Sequence, residues 1–552
     1  MSDYYDLGTY SRPVTTGSPQ AQLWFDRGLA WTYGYNHEEA IACYRQALEA
    51  DPECAMAWWG IAYAAGPNYN KPWEAFDEDD ARNSLRTAFD ATAQAGKLSA
   101  SATPTEKALI RALRRRYPSP EPAPDMCPWN DDYAAAMRVV HEEQPDDPDV
   151  EALFAEAIMN RTPWALWDLK SGAVADGADT TEAIAVLERA MERREGRGEA
   201  PHAGLLHMYI HLMEMSPHPE RALRACDRLR GLVPDAGHLR HMPTHIDVLC
   251  GDYRAAVETN HAAIEADRKF LEREGGINFY ALYRCHNYHF KIYGAMFLGQ
   301  YRPAIDAAEE MISTLPEELL TVRSPPMADW LEGFVSMKQH VLVRFGRWKT
   351  IVDQTLPDNS ELFCVTTAMM RYAMSVAHGA LGNVEAAERQ ADAFDKAMES
   401  VPDSRYVFNN RCVDILAIAR EMMLGELAYR RGDHETAFAH LRRSVELDDN
   451  LPYDEPWGWM QPTRHALAAL LLEQDRVEEA TAVYRADLGF DDTLSRACQH
   501  PDNVWSLHGY HECLERLGRH AQAAIVGQKL RIALARTDVP VTASCFCRLH
   551  AR

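Results

Sequence analysis

The sequence has no run of about 18 apolar residues, the length a helix needs to cross a bilayer. Its start, MSDYYDLGTYSRPVTTGSPQ, has neither the basic nor the apolar region of a secretory leader, so a cytoplasmic protein without membrane contact is expected. Positive charge is also short: 57 basic residues stand against 82 acidic ones, a net charge of -25. Such a field repels phosphate backbones and anionic lipid, which excludes nucleic acid as an expected partner. Cysteine is thin, with 12 in 552 residues, and this suits reduced, buried thiols better than a disulfide framework. The one close pair, Cys545 and Cys547, has a spacing that fits either plain packing or a metal or redox site. There is no GxGxxG, P-loop, GxSxG elbow or HExxH helix, so nucleotide binding, serine hydrolysis and zincin chemistry lack their usual signals.

What is present is ordinary in bulk and patterned in detail. Apolar residues make up 47% and charged residues 25%, values of a folded globular chain. Residues 21 to 52 contain two amphipathic stretches with a turn near Asn36 and a closing proline, a helical hairpin. Within it Trp24, Gly28, Trp31, Ala40, Tyr44, Ala47 and Pro52 alternate small and large residues in a fixed order. Close helix axes, ~8–10 Å apart, admit only Gly or Ala at the tightest contact. The same grammar returns at Gly251, Tyr253, Ala256 and Ala263, at Gly299, Tyr301, Ala304 and Pro316, and in later segments such as GDHETAFAHLRRSVELDD. The pattern resembles the tetratricopeptide repeat. YNHEEA, GHLRHMPTH and QHPDNVWSLHGYHECL further resemble a bacterial group of long tetratricopeptide proteins. The resemblance implies an all-α fold, a tetratricopeptide-type α-α superhelix of at least eight hairpins with inserted loops. The expected division is an extension at 1–20, an array at 21–320 that carries the site, and a second array at 321–552.

In that family the second, fifth and ninth places of each first helix face the concave groove. Three units counted from the Gly, Ala and Pro anchors begin near residues 203, 237 and 285. Their inward places are then Gly204, His207 and His211; His238, His241 and His245; and His286, His289 and Tyr293. With 22 histidines in 552 residues, chance would place roughly a third of one histidine in nine positions, and seven are found. Residues three or four apart share a helix face, so His207/His211, His241/His245 and His286/His289 each aim two imidazoles the same way. His207 to His241 and His211 to His245 are both separations of 34, one repeat, which predicts that the two pairs face each other. Neutral imidazole is the commonest protein ligand of transition metals, and this nitrogen-rich set suits copper ahead of zinc or iron. Other readings stay open: a peptide groove that uses histidine contacts, and an imidazole network without a ligand.

Glu214, three residues after His211, extends the motif to HxxxHxxE and is a candidate ligand or base; Tyr293 is a candidate proton donor. Arg240 and Asp247 flank the second pair as hydrogen-bonding or salt-bridging residues, and His238 sits at the rim. Glu156 with Asn160, and Trp164 with Trp167, either wall a pocket near the histidines or belong to ordinary core. A further group of Cys498, His500, His508, His511 and Cys513 matches no zinc spacing. The leading expectation is a metal-dependent enzyme, a copper or iron oxidoreductase acting on a small-molecule substrate in the groove. A scaffold binding a peptide or protein partner and a zinc-dependent hydrolase or hydratase are its alternatives.

Overall fold

The computed structural model describes residues 4–549. Among the described residues it is all-α: helices joined by turns and by longer segments such as 160–179 and 449–462, with one small antiparallel ribbon of Tyr406–Val407 against Asn410–Arg411. Among the described residues no helix is long and apolar enough to cross a membrane. Contacts divide the chain into two compact units, one of Met1–Ile246 with Ala262–Gly275, the other of Asp247–His261 with Gly276–Arg552. The long helix Tyr253–Glu274 has residues in both units.

In the first unit consecutive helices pack as hairpins: Pro19–Tyr33 on His37–Ala50, Ala55–Ala65 on Glu78–Leu98, and Pro104–Arg116 on Cys127–Glu143. Pro148–Met159 on Thr180–Gly196, and Ala203–Glu214 on Leu223–Leu229, continue the series. The small-large grammar has a direct cause here. A Cβ on Gly28 would lie 2.6 Å from the Tyr44 ring and one on Gly60 2.5 Å from the same ring, so Tyr44 fills the space that two glycines on flanking helices leave. Its hydroxyl, buried with the ring, is paired with Thr32 Oγ1 at 2.9 Å.

Helix starts are held by side chains. Ser18 accepts from Ala21 N at 3.2 Å, and Thr103 with Glu106 forms a reciprocal capping box. The segment before the first helix is strapped across these helices: Arg12 pairs with Asp147 and Asp149 at 2.7 Å, and Thr15 Oγ1 donates to Glu106 at 2.5 Å.

The second unit repeats the theme with Ala281–Phe297 on Tyr301–Ser313, Cys364–Ala380 on Val384–Met398, and Cys412–Arg430 on His434–Asp448. Thr463–Glu473 on Val477–Asp487 and Val504–Arg516 on His520–Leu534 complete it. Gly509 faces the Tyr484 ring as Gly28 faces Tyr44.

Candidate metal centre

The helix Ala203–Glu214 carries His207, His211 and Glu214 on one face, and its start is fixed by an unusual cap. His202 accepts from Leu205 N at 3.2 Å through Nδ1 and pairs through Nε2 with Asp149 at 3.1 Å. Asp149 also accepts from Tyr10 and Tyr33, each at 2.6 Å. Burial opposes ionisation of Asp149, but the His202 hydrogen bond, with the Arg12 charge and the Tyr10 hydroxyl behind it, holds its carboxyl well below the usual range. The partner segment consists of two short helices, Gly237–His241 and Pro243–Leu249. Pro243 has no N–H, and the ladder slips there to an i−3 bond, His245 N to Met242 O at 3.2 Å.

Five imidazoles close into a ring. Centroid separations are 4.8 Å for His207–His211, 5.6 Å for His211–His245, 4.7 Å for His245–His241, 5.8 Å for His241–His238 and 5.0 Å for His238–His207. The expected facing of His211 and His245 is present. His207 also lies against His238, which the sequence placed at the rim. All five are at most 1% exposed, and so is Glu214. The imidazoles are therefore covered from solvent.

Their protons can be assigned from their partners. His207 Nδ1 lies 2.7 Å from the Tyr33 carbonyl oxygen, which only accepts, so the proton is on Nδ1 and Nε2 keeps its lone pair. Glu214, as a carboxylate, accepts from His211 Nδ1 at 2.9 Å and from His245 Nδ1 at 2.6 Å. His241 Nε2 and His245 Nε2 are 2.7 Å apart; since the His245 proton is on Nδ1, His241 supplies the one between them. That leaves His241 Nδ1 to accept from the Thr244 hydroxyl at 3.1 Å. His207 Nε2 and His211 Nε2 are buried and make no hydrogen bond among the described residues. A donor atom of each, with one of His238, lies within 4.8 Å of the other two. Burial pushes His207 down to about 3, and burial plus the neighbouring imidazoles pushes His211 and His238 well below the ordinary histidine value. These rings are neutral, the form that binds metal.

Aromatic rings wall the cluster. Tyr35 lies 4.6 Å from His207 and stacks on His238 at 5.6 Å, while Tyr69 and Trp164 lie 5.0 and 6.0 Å from His211. Tyr35 and Trp164 both have left-handed backbones, with φ of 54° and 60°, the kind of strain that gathers at functional sites. Glu156 is an anchor for this wall: it accepts from Tyr35 at 3.3 Å and from Tyr63. Sequence reasoning missed Tyr35 and Tyr69, which stand in turns, YGYN and GPNYN, where periodicity carries no information.

The remaining candidates are described within their own units. Arg240 donates to the Pro234 carbonyl at 2.9 Å. Asp247 belongs to the second unit, where its carbonyl accepts from Asp252 N at 2.8 Å. His286, His289 and Tyr293 are also in that unit, on Ala281–Phe297. There His286 packs on Phe290 and Phe408, and His289 on Phe334 with the imidazole of His340 nearby. Tyr293 borders a cavity of about 20 Å³ with Asp448, Cys498 and His500, and burial first, then Asp448 and Asp487, pushes its hydroxyl well above the ordinary phenol value. His500 Nδ1 donates to Asp487 at 2.8 Å, Cys498 Sγ accepts from Ser495 at 3.3 Å, and among the described residues the Cys498 to Cys513 group forms no donor cluster.

Comparison with known proteins matches residues 21–54 to the tetratricopeptide repeat family. No curated protein matches the chain. Among solved structures, the Cut9–Hcn1 hetero-tetramer of the APC/C is similar at 13% identity over 86% of this chain and 74% of that one, with a TM-score of 0.32. Yeast Tom70 is similar at 11% identity over 93% and 99%, TM-score 0.28. A Rap protein complexed with competence and sporulation factor is similar at 10% over 70% and 98%, TM-score 0.29. At these scores no residue or role carries over from them.

Proposed function

We propose that this tetratricopeptide-repeat chain holds a transition-metal ion within the imidazole ring of its first unit, copper ahead of zinc and iron. The observation that carries the proposal is the pair of Nε2 lone pairs on His207 and His211, buried and without a hydrogen bond, with His238 alongside. An unmet buried polar atom costs about 1–3 kcal/mol, and a bound cation offsets that cost at both atoms at once. Both rings are already oriented by the Tyr33 carbonyl and Glu214, the outer-shell arrangement that fixes tautomer and raises ligand basicity. His241 and His245 extend the donor set, since an ion can replace the proton held between their Nε2 atoms.

Metal-dependent oxidation is the activity this donor set favours, because an all-nitrogen site suits a redox ion. Burial restricts the reactants: a species as small as dioxygen suits the site, whereas a larger substrate requires covering side chains to move. A second reading, an interaction scaffold, is favoured by the repeat match at residues 21–54. In it a protein or peptide partner would use exposed helix faces, because the histidines are covered.

Elemental analysis of untagged protein, with the His207→Ala, His211→Ala and His238→Ala variants, tests the first reading. The expected result is a near-stoichiometric metal in the wild type that each variant loses. No metal above trace, or full occupancy in all three variants, would overturn it. Oxygen consumption by metal-loaded protein then separates the activities: no turnover, together with tight metal-independent capture of a partner, selects the scaffold.

A further inference from the structure

The second unit contains a sulfur pair that the metal centre does not involve. Cys545 and Cys547 are joined as a disulfide across a single residue. A bridge across one residue closes almost no loop, so it removes little entropy from the unfolded chain and makes a poor staple. Its purpose is to be sought in chemistry.

The surroundings are built. Ser544, immediately before the pair, is bonded to the His465 carbonyl at 2.9 Å and to the Tyr484 hydroxyl at 2.5 Å. On the other side Arg430 donates to the Cys547 carbonyl, and Arg548 forms a two-pronged pair with Glu512 at 2.7 and 3.0 Å. The tail is thus clamped on both flanks of the bond. Glu426, on the helix Cys412–Arg430, is 4% exposed, and one of its carboxyl oxygens lies within 4.8 Å of both sulfurs. Its Oε2 has no hydrogen bond among the described residues. Glu426 and Cys545 border a cavity of about 10 Å³ that Tyr372 and Gln461 also line, and the Tyr372 hydroxyl and Gln461 Nε2 likewise make no hydrogen bond. That is room for about one water among polar groups able to hold it. The two sulfurs differ in access: Cys547 is fully buried and Cys545 only half-buried.

We propose that Cys545 and Cys547 form a thiol–disulfide exchange centre, with Cys545 the sulfur attacked by an external low-molecular-weight or protein thiol, Cys547 the leaving thiol, and Glu426 the carrier of its proton. The external thiolate forms a bond to Cys545 Sγ, the bond between the two cysteines breaks, and its electron pair goes to Cys547. The buried Cys547 thiolate takes a proton from the Glu426 carboxyl. A second external thiolate attacks the external sulfur of the mixed disulfide and releases Cys545 as a thiolate. The balance is one protein disulfide and two thiols giving one protein dithiol and one external disulfide, and Glu426 regains its proton from water. Burial supports this role because it pushes the Glu426 carboxyl up to about 7, so the acid holds a proton near neutrality.

The test uses the full chain in reduced and oxidised glutathione at set ratios, with acid quench, alkylation and mass spectrometry of the C-terminal peptide. The pair is expected to interconvert fully within minutes in native protein while the other ten cysteines stay reduced. Cys547→Ser should trap glutathione on Cys545. Glu426→Gln should slow reduction at pH 6 tenfold or more and remove the inflection near pH 7 from the rate profile once attacking thiolate is corrected for; a purely structural role would leave that profile unmoved. A pair that stays thiol in oxidised glutathione overturns the proposal, as does one that resists reduced glutathione until the protein is denatured. Absence of a mixed disulfide on Cys545 in Cys547→Ser also overturns it, and this arm does not depend on the folding of the Glu426 variant.

Discussion

Replacing Glu214 by glutamine tests whether the imidazole ring is arranged for a metal. In the wild type one carboxylate accepts from two Nδ1–H groups, His211 at 2.9 Å and His245 at 2.6 Å. Glutamine keeps one accepting oxygen and turns the other into a donor, so one of the two rings meets donor with donor. The relief available without repacking is a tautomer change in that ring, which moves its proton from Nδ1 to Nε2. That proton then covers the lone pair a metal requires. Loss of an outer-shell partner costs 10–100-fold in metal affinity, and blocking one ligand puts the expected effect at the upper end, roughly 100-fold or about 2.7 kcal/mol. Competition titration against a chelator of known affinity reads this loss, and nitrogen-15 shifts of the histidine rings read the tautomers in the same sample. The reasoning is refuted if affinity stays within threefold of the wild type, or if it falls while both rings keep their protons on Nδ1. His207, oriented by the Tyr33 carbonyl, should keep its tautomer in either case and serves as the internal reference.

Gly60→Ala should destabilise the first hairpins by about 1–3 kcal/mol, because its Cβ would lie 2.5 Å from the Tyr44 ring; an unchanged urea midpoint would contradict the packing argument. Asp149→Ala removes the common partner of Arg12, His202, Tyr10 and Tyr33 and should cost roughly 3–5 kcal/mol, read by thermal melting near neutral pH; a shift under 1 kcal/mol would sink it. The Glu426 carboxyl, raised from 4.5 to about 7 by burial, contributes stability that is complete below pH 4.5 and is lost as pH rises through about 7. Glu426→Gln should therefore gain up to ~3 kcal/mol on the wild type at pH 8 and nothing at pH 4, a difference that denaturant midpoints at the two pH values measure.

Much of the fold was legible because its determinants are local. Gly28, Tyr44 and Ala47 repeat a spacing that any close-packed helical hairpin requires, and caps such as Ser18 and Thr103 mark helix starts within a few residues. The enrichment of histidine at spacings of three and four likewise announced a shared helix face before any contact was known. By itself, then, the sequence determined the helical hairpins and the residue type of the candidate site, and it offered three segments, beginning near residues 203, 237 and 285, to carry it. Only the tertiary structure decided which imidazoles meet. A 34-residue period brings two positions together while both helices stay regular, and it held for His211 and His245; that the His238 ring lies against His207 was not legible from the period. Glu214 looked like a ligand or base along its own helix, and packing made it the acceptor that two rings from different segments share. Tyr35, Tyr69 and Trp164 come from connections, where no periodicity reports direction, and they face the histidines through backbone turns that distant contacts hold in place. The depth of the cluster was decided in the same way, since burial is a property of what the rest of the chain lays over a residue.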